Sequence, residues 1–551
     1  MHDIVTPSAR GRRYREAGLW DDDTLVDRVA HFAATYPDRV AVVDTQGGRP
    51  RSYAELEHDA ARVAGELRAA GLRAGDVASL QLPNRYEAVV CALAVQKCHA
   101  VINPLLPNYR RKELAYVFAA ARPKVVFSPT IYRGFDHRPL VAGAAAEAGI
   151  TPLHVVVGDE PGGGAHSGDR RGDRIVCVED LIRRSDPPGA MPGPVAASVS
   201  ELIFTSGTEA TPKAIMHTEQ TANFSMRAAW SDLALTPGDS VWMPSPVGHS
   251  TGFNFGLRFA LYHGLKLVLQ DVWDPALAAE LIDREECTYT LAATTFLQDL
   301  VAELARTDRA LHGFSRFGCG GAPVPADLVR AAADRNITVL RLYGSTEVLV
   351  ASWCRPDSPL ESRLRTDGLP LGHVETAVRN ESGEVCAPDE PGELFVRGPN
   401  TCVGFFDDPG RTAETFDDGW VRSGDLLTKD ADGYLTVVGR KKEIIIRGGL
   451  NIAPREIEDL LMQFPEVVAA AVVGVTDARL GERSCACVVL DARTRLDFPT
   501  MIERLEATGL ATYKLPEHLV VLDDMPRTAS GKIQKHVIVQ RLVVTPTATE
   551  R

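Results

Sequence analysis

At 551 residues the chain exceeds one ordinary domain and is long enough to bury several hydrophobic cores. Its 45% hydrophobic and 24% charged residues are those of a water-soluble globular protein, and a net charge of -13 argues against a general binder of nucleic acid or of anionic membrane surfaces. No apolar run is long enough to cross a bilayer, and residues 1–18 lack the apolar centre of a signal peptide, so the expected location is the cytoplasm without stable membrane insertion. Ten cysteines show no CxxC spacing, and Cys485 and Cys487, on one face of an expected strand, read with the rest as reduced, buried thiols.

In chain order, Tyr53 opens a helix with Leu56, Ala60, Val63 and Leu67 on one face and Gly71 as its stop. Residues 77–82 read as a strand, 85–97 as a helix, 100–103 as a strand and 111–121 as a helix, an order that implies a largely parallel sheet. Two segments rich in glycine, proline or charge, 159–174 and 185–194, are expected at the surface. Next comes LIFTSGTEATPKAIM at 202–216, an apolar strand-like run followed by a polar loop. Backbone N–H groups at Gly207, the hydroxyls of Thr205, Ser206 and Thr208 and the charge of Lys213 suit phosphate oxygens. The loop is not a Walker A motif, because Pro212 and Ala214 flank the lysine, and taken alone a polar surface turn explains it equally well.

Strand and helix signals alternate again as far as Leu342, suggesting a second α/β unit, and short strands at 392–398 and 434–438 suggest a small β unit after it. A different texture begins near Gly439. Pro454, Glu456 and Glu458 open a helix with Ile457, Leu460, Leu461 and Phe464 on one face; strands at 467–475, 485–490 and 518–522 and a helix at 499–505 follow. The expected class is α/β: a large N-terminal domain of stacked α/β units with a small β subdomain, residues 1–439, and a small α+β domain, residues 440–551.

Five more stretches combine unusual residues: GCGGAP at 318–323, YGSTE at 343–347, RSGD at 422–425, GRKKEIIIRGGLN at 439–451 and RTASGKIQK at 527–535. Singly, a tight turn, a hairpin or a solvated basic tail accounts for most of them; YGSTE, at an expected strand end, is better placed for a ligand. Together and in this order the six resemble the adenylate-forming superfamily of acyl-CoA synthetases, carrier-protein adenylation domains and luciferases. GHSTGF at 248–253, LRLYGSTE at 340–347 and RGGLNIAPREIED at 447–459 are most similar to bacterial medium-chain fatty acyl-CoA ligases and cyclohexanecarboxylate-CoA ligases.

The resemblance implies activation of a carboxylic acid with ATP to acyl-AMP, then transfer to CoA. It places Thr205, Ser206, Gly207, Thr208 and Lys213 on the β- and γ-phosphates, Glu347 on Mg²⁺ and Thr346 on the α-phosphate. Gly320, Gly321, Ala322 and Tyr343 would frame adenine, Asp425 and Arg440 would hold ribose, and Lys532 would bridge the acyl carboxylate and α-phosphate. The small domain would turn about a hinge at Lys442, carrying Arg447, Gly448 and Gly449 towards the acyl carbon. His249 is either a base for the thiol or a wall of the acyl pocket, the second being favoured. That pocket is expected at 247–255 and 294–297 beside the glycine turn, and the absence of acidic residues at 245–255 favours a hydrophobic or aromatic acid over an amino acid. A separate carrier protein is the alternative acceptor, and a non-catalytic nucleotide or acyl-CoA sensor a third, weaker reading. Ala210 and Ala214 stand where relatives usually have glycine; a left-handed backbone there would cost about 1 kcal/mol. They leave room for a relative that activates an atypical oxyacid. Ser423 replaces the commoner threonine conservatively.

Overall fold

A computed structural model describes residues 8–45, 49–158, 175–184, 195–205, 212–448, 450–477, 479–528, 532–544 and 549–550. The two expected surface segments, 159–174 and 185–194, and the loop residues 206–211 lie outside them. Among the described residues the large domain holds a seven-stranded and a nine-stranded sheet. The first is parallel apart from one edge strand, and the second has a parallel centre with antiparallel edges.

Helix Tyr86–Lys97 contacts strands of both sheets, and every one of its side chains except Glu87 is buried. An all-round apolar helix of this kind belongs between two layers, and here it joins the α/β units through one core. Asn84, just ahead of it, donates its amide to the carbonyls of Ser245 and Gln270 at 2.9 and 3.0 Å and accepts the Val247 N–H at 2.8 Å. A small antiparallel sheet led by Glu375–Arg379 and Gly392–Arg397 follows. Strand Leu435–Arg440 belongs to it, so the expected domain boundary after 439 falls just inside this strand. The C-terminal unit has its own sheet, with helices Pro454–Leu461 and Phe498–Ala507 on a separate core.

Most expected elements appear within a few residues of their sequence positions. Three details differ. Phe464 lies beyond the end of its helix; residues 213–218 form a strand, Lys213–Thr218, antiparallel to Val199–Thr205; and RSGD sits inside strand Trp420–Lys429 rather than in a turn. The cysteines are free thiols, with Cys485 and Cys487 buried 3.9 Å apart. No helix of the described residues is long and apolar enough to cross a membrane.

Beneath the hairpin that carries the 202–216 loop lies a fully buried ionic network. Arg258 ends a π-helical segment, Thr251–Arg258, and its guanidinium is inaccessible to solvent. It pairs with Glu201 on one strand of the hairpin and, at 2.8 and 2.9 Å, with Glu219, the first residue of the helix that follows the hairpin. Asn223 and Asn254 accept its remaining N–H groups at 2.9 and 3.1 Å, so all five guanidinium donors are used. Burial alone would raise the pKa of Glu219, but the Arg258 charge outweighs it and holds the carboxylate below its ordinary range. Arg258→Ala would leave two carboxylates buried without their counter-ion, at a cost of about 3–5 kcal/mol. A marked fall in thermal unfolding midpoint is expected; an unchanged midpoint would show that the network adds nothing to stability.

Candidate active site

Several of the predicted site residues gather where parallel strands of the nine-stranded sheet end. Strand Arg316–Gly320 delivers Gly320, and Gly321 turns the chain at φ +79°, a left-handed conformation that strains a residue with a Cβ. Its neighbour strand, Thr338–Tyr343, delivers Tyr343 and the turn holding Thr346 and Glu347. Ligands of open α/β sheets bind beyond such carboxyl ends. Ala322, partly exposed, follows Gly321 on the same rim.

At the phosphate end, Thr205 and Lys213 are cross-strand partners, and Lys213 Nζ lies 4.0 Å from Glu347 Oε1. The strand that Lys213 opens is thereby brought to the YGSTE turn. Ser206, Gly207 and Thr208 lie outside the described residues, as does Ala210. Ala214 pairs with Phe204 in the hairpin and has no positive φ, so the strain considered for it does not arise.

At the ribose end, the Tyr343 hydroxyl donates to Asp425 Oδ2 at 2.7 Å, and Arg440 Nε lies 3.0 Å from Asp425 Oδ1. Burial and then the Asp425 charge raise the Tyr343 pKa, keeping the phenol a donor. For Arg440 burial acts downward but Asp425 and Glu443 outweigh it, and its pKa is raised. Asp425 also donates its backbone N–H to Ser423 Oγ at 3.1 Å, while Ser423 donates to the Leu394 carbonyl at 2.7 Å. The hydroxyl that serine shares with threonine is therefore in use.

Lys532 enters from the small domain. A Cβ built on Gly321 would stand 3.5 Å from Lys532 Cε and 4.0 Å from its Nζ, so the lysine lies directly over the glycine turn. It keeps solvent contact at the residue level, yet the protein surrounding its ammonium lowers its pKa, Arg440 adds to that, and Asp425 and Glu347 oppose it. His249 feels the same lysine: burial first and the Lys532 charge second push its pKa down to about 4. The Thr251 backbone N–H donates to His249 Nδ1 at 3.2 Å, so the neutral ring carries its proton on Nε2.

Gly448 stands apart from this cluster. Its N–H donates to the Leu480 carbonyl at 2.7 Å, and the adjacent Arg447 pairs with Glu517 at 2.8 Å, both within the small domain. Gly449 lies outside the described residues. No group of three or more His, Cys, Asp or Glu is placed to hold a metal among the described residues.

Sequence reasoning missed His217. Its buried ring donates through Nε2 to the Thr346 carbonyl at 2.7 Å, so the strand after the loop props the turn that carries Thr346 and Glu347. Asn84, Glu201, Glu219 and Arg258 were missed as well. Polar residues inside apolar strands and helices were the available signal, but their partners lie far away in the chain.

The same division appears in comparisons with known proteins. Residues 29–406 match the family described as AMP-binding enzyme, and residues 456–532 match the AMP-binding enzyme C-terminal domain. The chain is 37% identical to a medium-chain fatty-acid–CoA ligase of Escherichia coli, over 96% of this chain and 92% of that one. It is 32% identical to a salicyl-AMP ligase / salicyl-S-ArCP synthetase of Mycobacterium tuberculosis, over 100% and 96%. Its fold is similar to the crystal structure of ATP-bound MatB from Rhodopseudomonas palustris, with a TM-score of 0.83 at 28% identity, covering 95% and 99% of the two chains. The chain belongs to the AMP-binding enzyme family, the adenylate-forming acid–thiol ligases.

Proposed function

We propose that this ligase activates a hydrophobic or aromatic carboxylic acid to acyl-AMP with release of pyrophosphate, then forms a thioester with CoA. The observation that carries this reading is the position of Lys532, which lies over Gly321 within the electrostatic reach of Asp425, Glu347, Arg440 and His249. In the first step a carboxylate oxygen attacks the α-phosphorus and pyrophosphate leaves. Two anions must approach, and at about 4 Å and a surface-like dielectric each like-charge pair costs about 4 kcal/mol. A lysine fixed at that junction offsets the repulsion where negative charge accumulates. Lys213, with Thr205, Ser206, Gly207 and Thr208, would hold the outer phosphates, Thr346 the α-phosphate, and Tyr343 with Gly320, Gly321 and Ala322 the base. Asp425 would use its remaining lone pairs on ribose hydroxyls beside Arg440.

A magnesium ion carried by ATP asks for one or two protein carboxylates, since phosphates and water complete its shell, and Glu347 beside Lys213 fits that need. When bound, it would neutralise phosphate charge.

The acid pocket would lie beside His249 along the π-helical segment, where Phe253 and Phe255 are buried. Arg258, the cation of that segment, is spent on Glu201 and Glu219 and offers nothing to a second carboxylate or other anionic group. With Nδ1 occupied by Thr251, His249 acts as a pocket wall and an Nε2–H donor rather than a base. The thiol must then approach where Lys532 stands. Turning the small domain about Lys442 would withdraw Lys532 and bring Gly448 and Gly449 to the acyl carbon. The similarity to a salicyl-AMP ligase that also loads a carrier protein keeps a separate carrier protein as the second reading for the acceptor. An assay with CoA against carrier protein separates the two.

Two measurements test these roles. Lys532→Ala is expected to slow acyl-AMP formation by at least about 10²-fold while sparing thioester formation from supplied acyl-AMP; equal loss of both half-reactions would remove the lysine from the adenylation step. The His249 imidazole, with its pKa about 4, is already neutral above about pH 5. His249→Asn should therefore leave the shape of the pH–rate profile between about pH 6 and 9 unchanged, whereas loss of a limb near pH 6–7 would identify His249 as the base.

A further inference from the structure

Two acidic side chains on opposite sides of the small domain's glycine hairpin share one lysine. Glu443 ends the short 3₁₀ turn Lys441–Glu443, directly after the proposed hinge residue Lys442 and ahead of the hairpin formed by Ile445–Arg447 and Leu450–Ile452. Glu458 lies beyond the hairpin in helix Pro454–Leu461 and is buried. Lys535, the first residue of helix Lys535–Val544, donates to Glu443 Oε2 at 2.8 Å, and its Nζ stands 2.9 Å from Glu458 Oε1. Glu458 Oε1 also accepts the Val472 backbone N–H at 2.7 Å, which fastens that carboxylate to strand Val467–Asp477. Burial acts to lower the Lys535 pKa, but Glu458 and then Glu443 outweigh it, and the ammonium stays charged.

Lys535 follows Lys532 by three residues. The chain around Lys532 is a closed loop: the Thr528 N–H donates to the Lys532 carbonyl at 2.7 Å, the Lys532 N–H to Thr528 Oγ1 at 3.1 Å, and the Gln534 N–H to the Pro526 carbonyl at 2.8 Å. Ile533 packs on the core that holds Cys485, Cys487 and Met525. Three residues of extended chain span only about 10 Å, so a shift of Lys535 is passed on to Lys532 with little slack. The glycine hairpin, by contrast, has anchors of its own. Arg447 donates to both carboxylate oxygens of Glu517 at 3.0 and 2.8 Å, and the Ile446 N–H donates to Glu482 Oε2 at 2.8 Å.

We propose that Lys535 is a positioning residue for the adenylation half-reaction: its ammonium pins the root of the Lys532 loop to Glu443, beside the hinge, and to Glu458, so that Lys532 reaches across the domain boundary to Gly321. This inference rests on the reading that Lys532 serves the adenylation step. Lys535 acts through Lys532 and not on the substrates. A group displaced by about 1 Å from its working position can cost about 10²-fold in rate, whereas the hairpin proposed for thiol transfer keeps its place without Lys535.

The test uses the full-length enzyme with a hydrophobic acid that wild type adenylates, and reads pyrophosphate release and thioester formation from supplied acyl-AMP separately. Lys535→Met keeps an unbranched side chain and removes the charge. Its kcat for adenylation is expected to fall by about ten- to a hundredfold, while KM for ATP and the rate of thioester formation stay within about twofold of wild type. Equal loss in the two half-reactions, a rise in KM for ATP that accounts for the whole loss, or adenylation at the wild-type rate overturns the proposal. Lys535→Met leaves two carboxylates without their counter-ion. Should it fold poorly, Glu443→Gln is read in the same way: the same split, smaller in size, is expected, and equal losses or none overturn the proposal. Lys532→Ala is measured alongside. If that variant adenylates at the wild-type rate, the reading of Lys532 fails and this inference with it; if it shows the split and Lys535→Met does not, the role of Lys535 alone is refuted.

Discussion

The ion cluster formed by Arg258, Glu201 and Glu219 is the constraint on which the site depends. Glu201 lies on strand Val199–Thr205, Glu219 begins the helix after the returning strand, and Arg258 ends the π-helical segment Thr251–Arg258. One guanidinium therefore sets the positions of three elements of the large domain relative to one another. Charges removed from water are costly unless their hydrogen-bonding groups are all occupied, and here the two asparagines and the Leu25 N–H, which donates to Glu219 at 2.8 Å, complete the arrangement. A shift of the π-helical segment would break several charge-assisted bonds at once.

Rigidity on one side of the cleft contrasts with electrostatic poise on the other. Lys532 comes from the small domain and stands among Asp425, Glu347 and Arg440, with no ion pair to any of them among the described residues. Asp425 is already engaged by Tyr343 and Arg440. Its lowered pKa and the neutral His249 have related origins, burial and neighbouring cations. A bound anion would reverse this balance, drawing the lysine in. Departure of pyrophosphate would weaken that hold and favour the domain movement proposed for the second step.

Much of this was legible beforehand because it is local. Periodicity located helix Tyr53–Ala69 and the central helix, and Tyr343 to Glu347 could be placed at a strand end. The antiparallel return at Lys213–Thr218 was not recognised, because a polar loop stretch and a strand start share the residues Lys213 and Ala214. Nor was the strand position of Asp425, where a Ser-Gly-Asp run reads as a turn unless its pairing partners are known.

The sequence by itself determined the two-domain α/β plan and the family, since these depend on short-range pattern and on motifs that sit along the chain in order. Tertiary structure alone decided which buried polar residues serve one another. His217 reaches Thr346 across 129 positions, Arg258 reaches Glu201 across 57, and Lys535 reaches Glu443 across 92. It also decided the His249 proton, through Thr251, and the arrangement that sets Lys532 over Gly321 while Gly448 stays within the small domain. The physical reason is that hydrogen bonding and desolvation act through space, whereas periodicity and turn chemistry act along the chain.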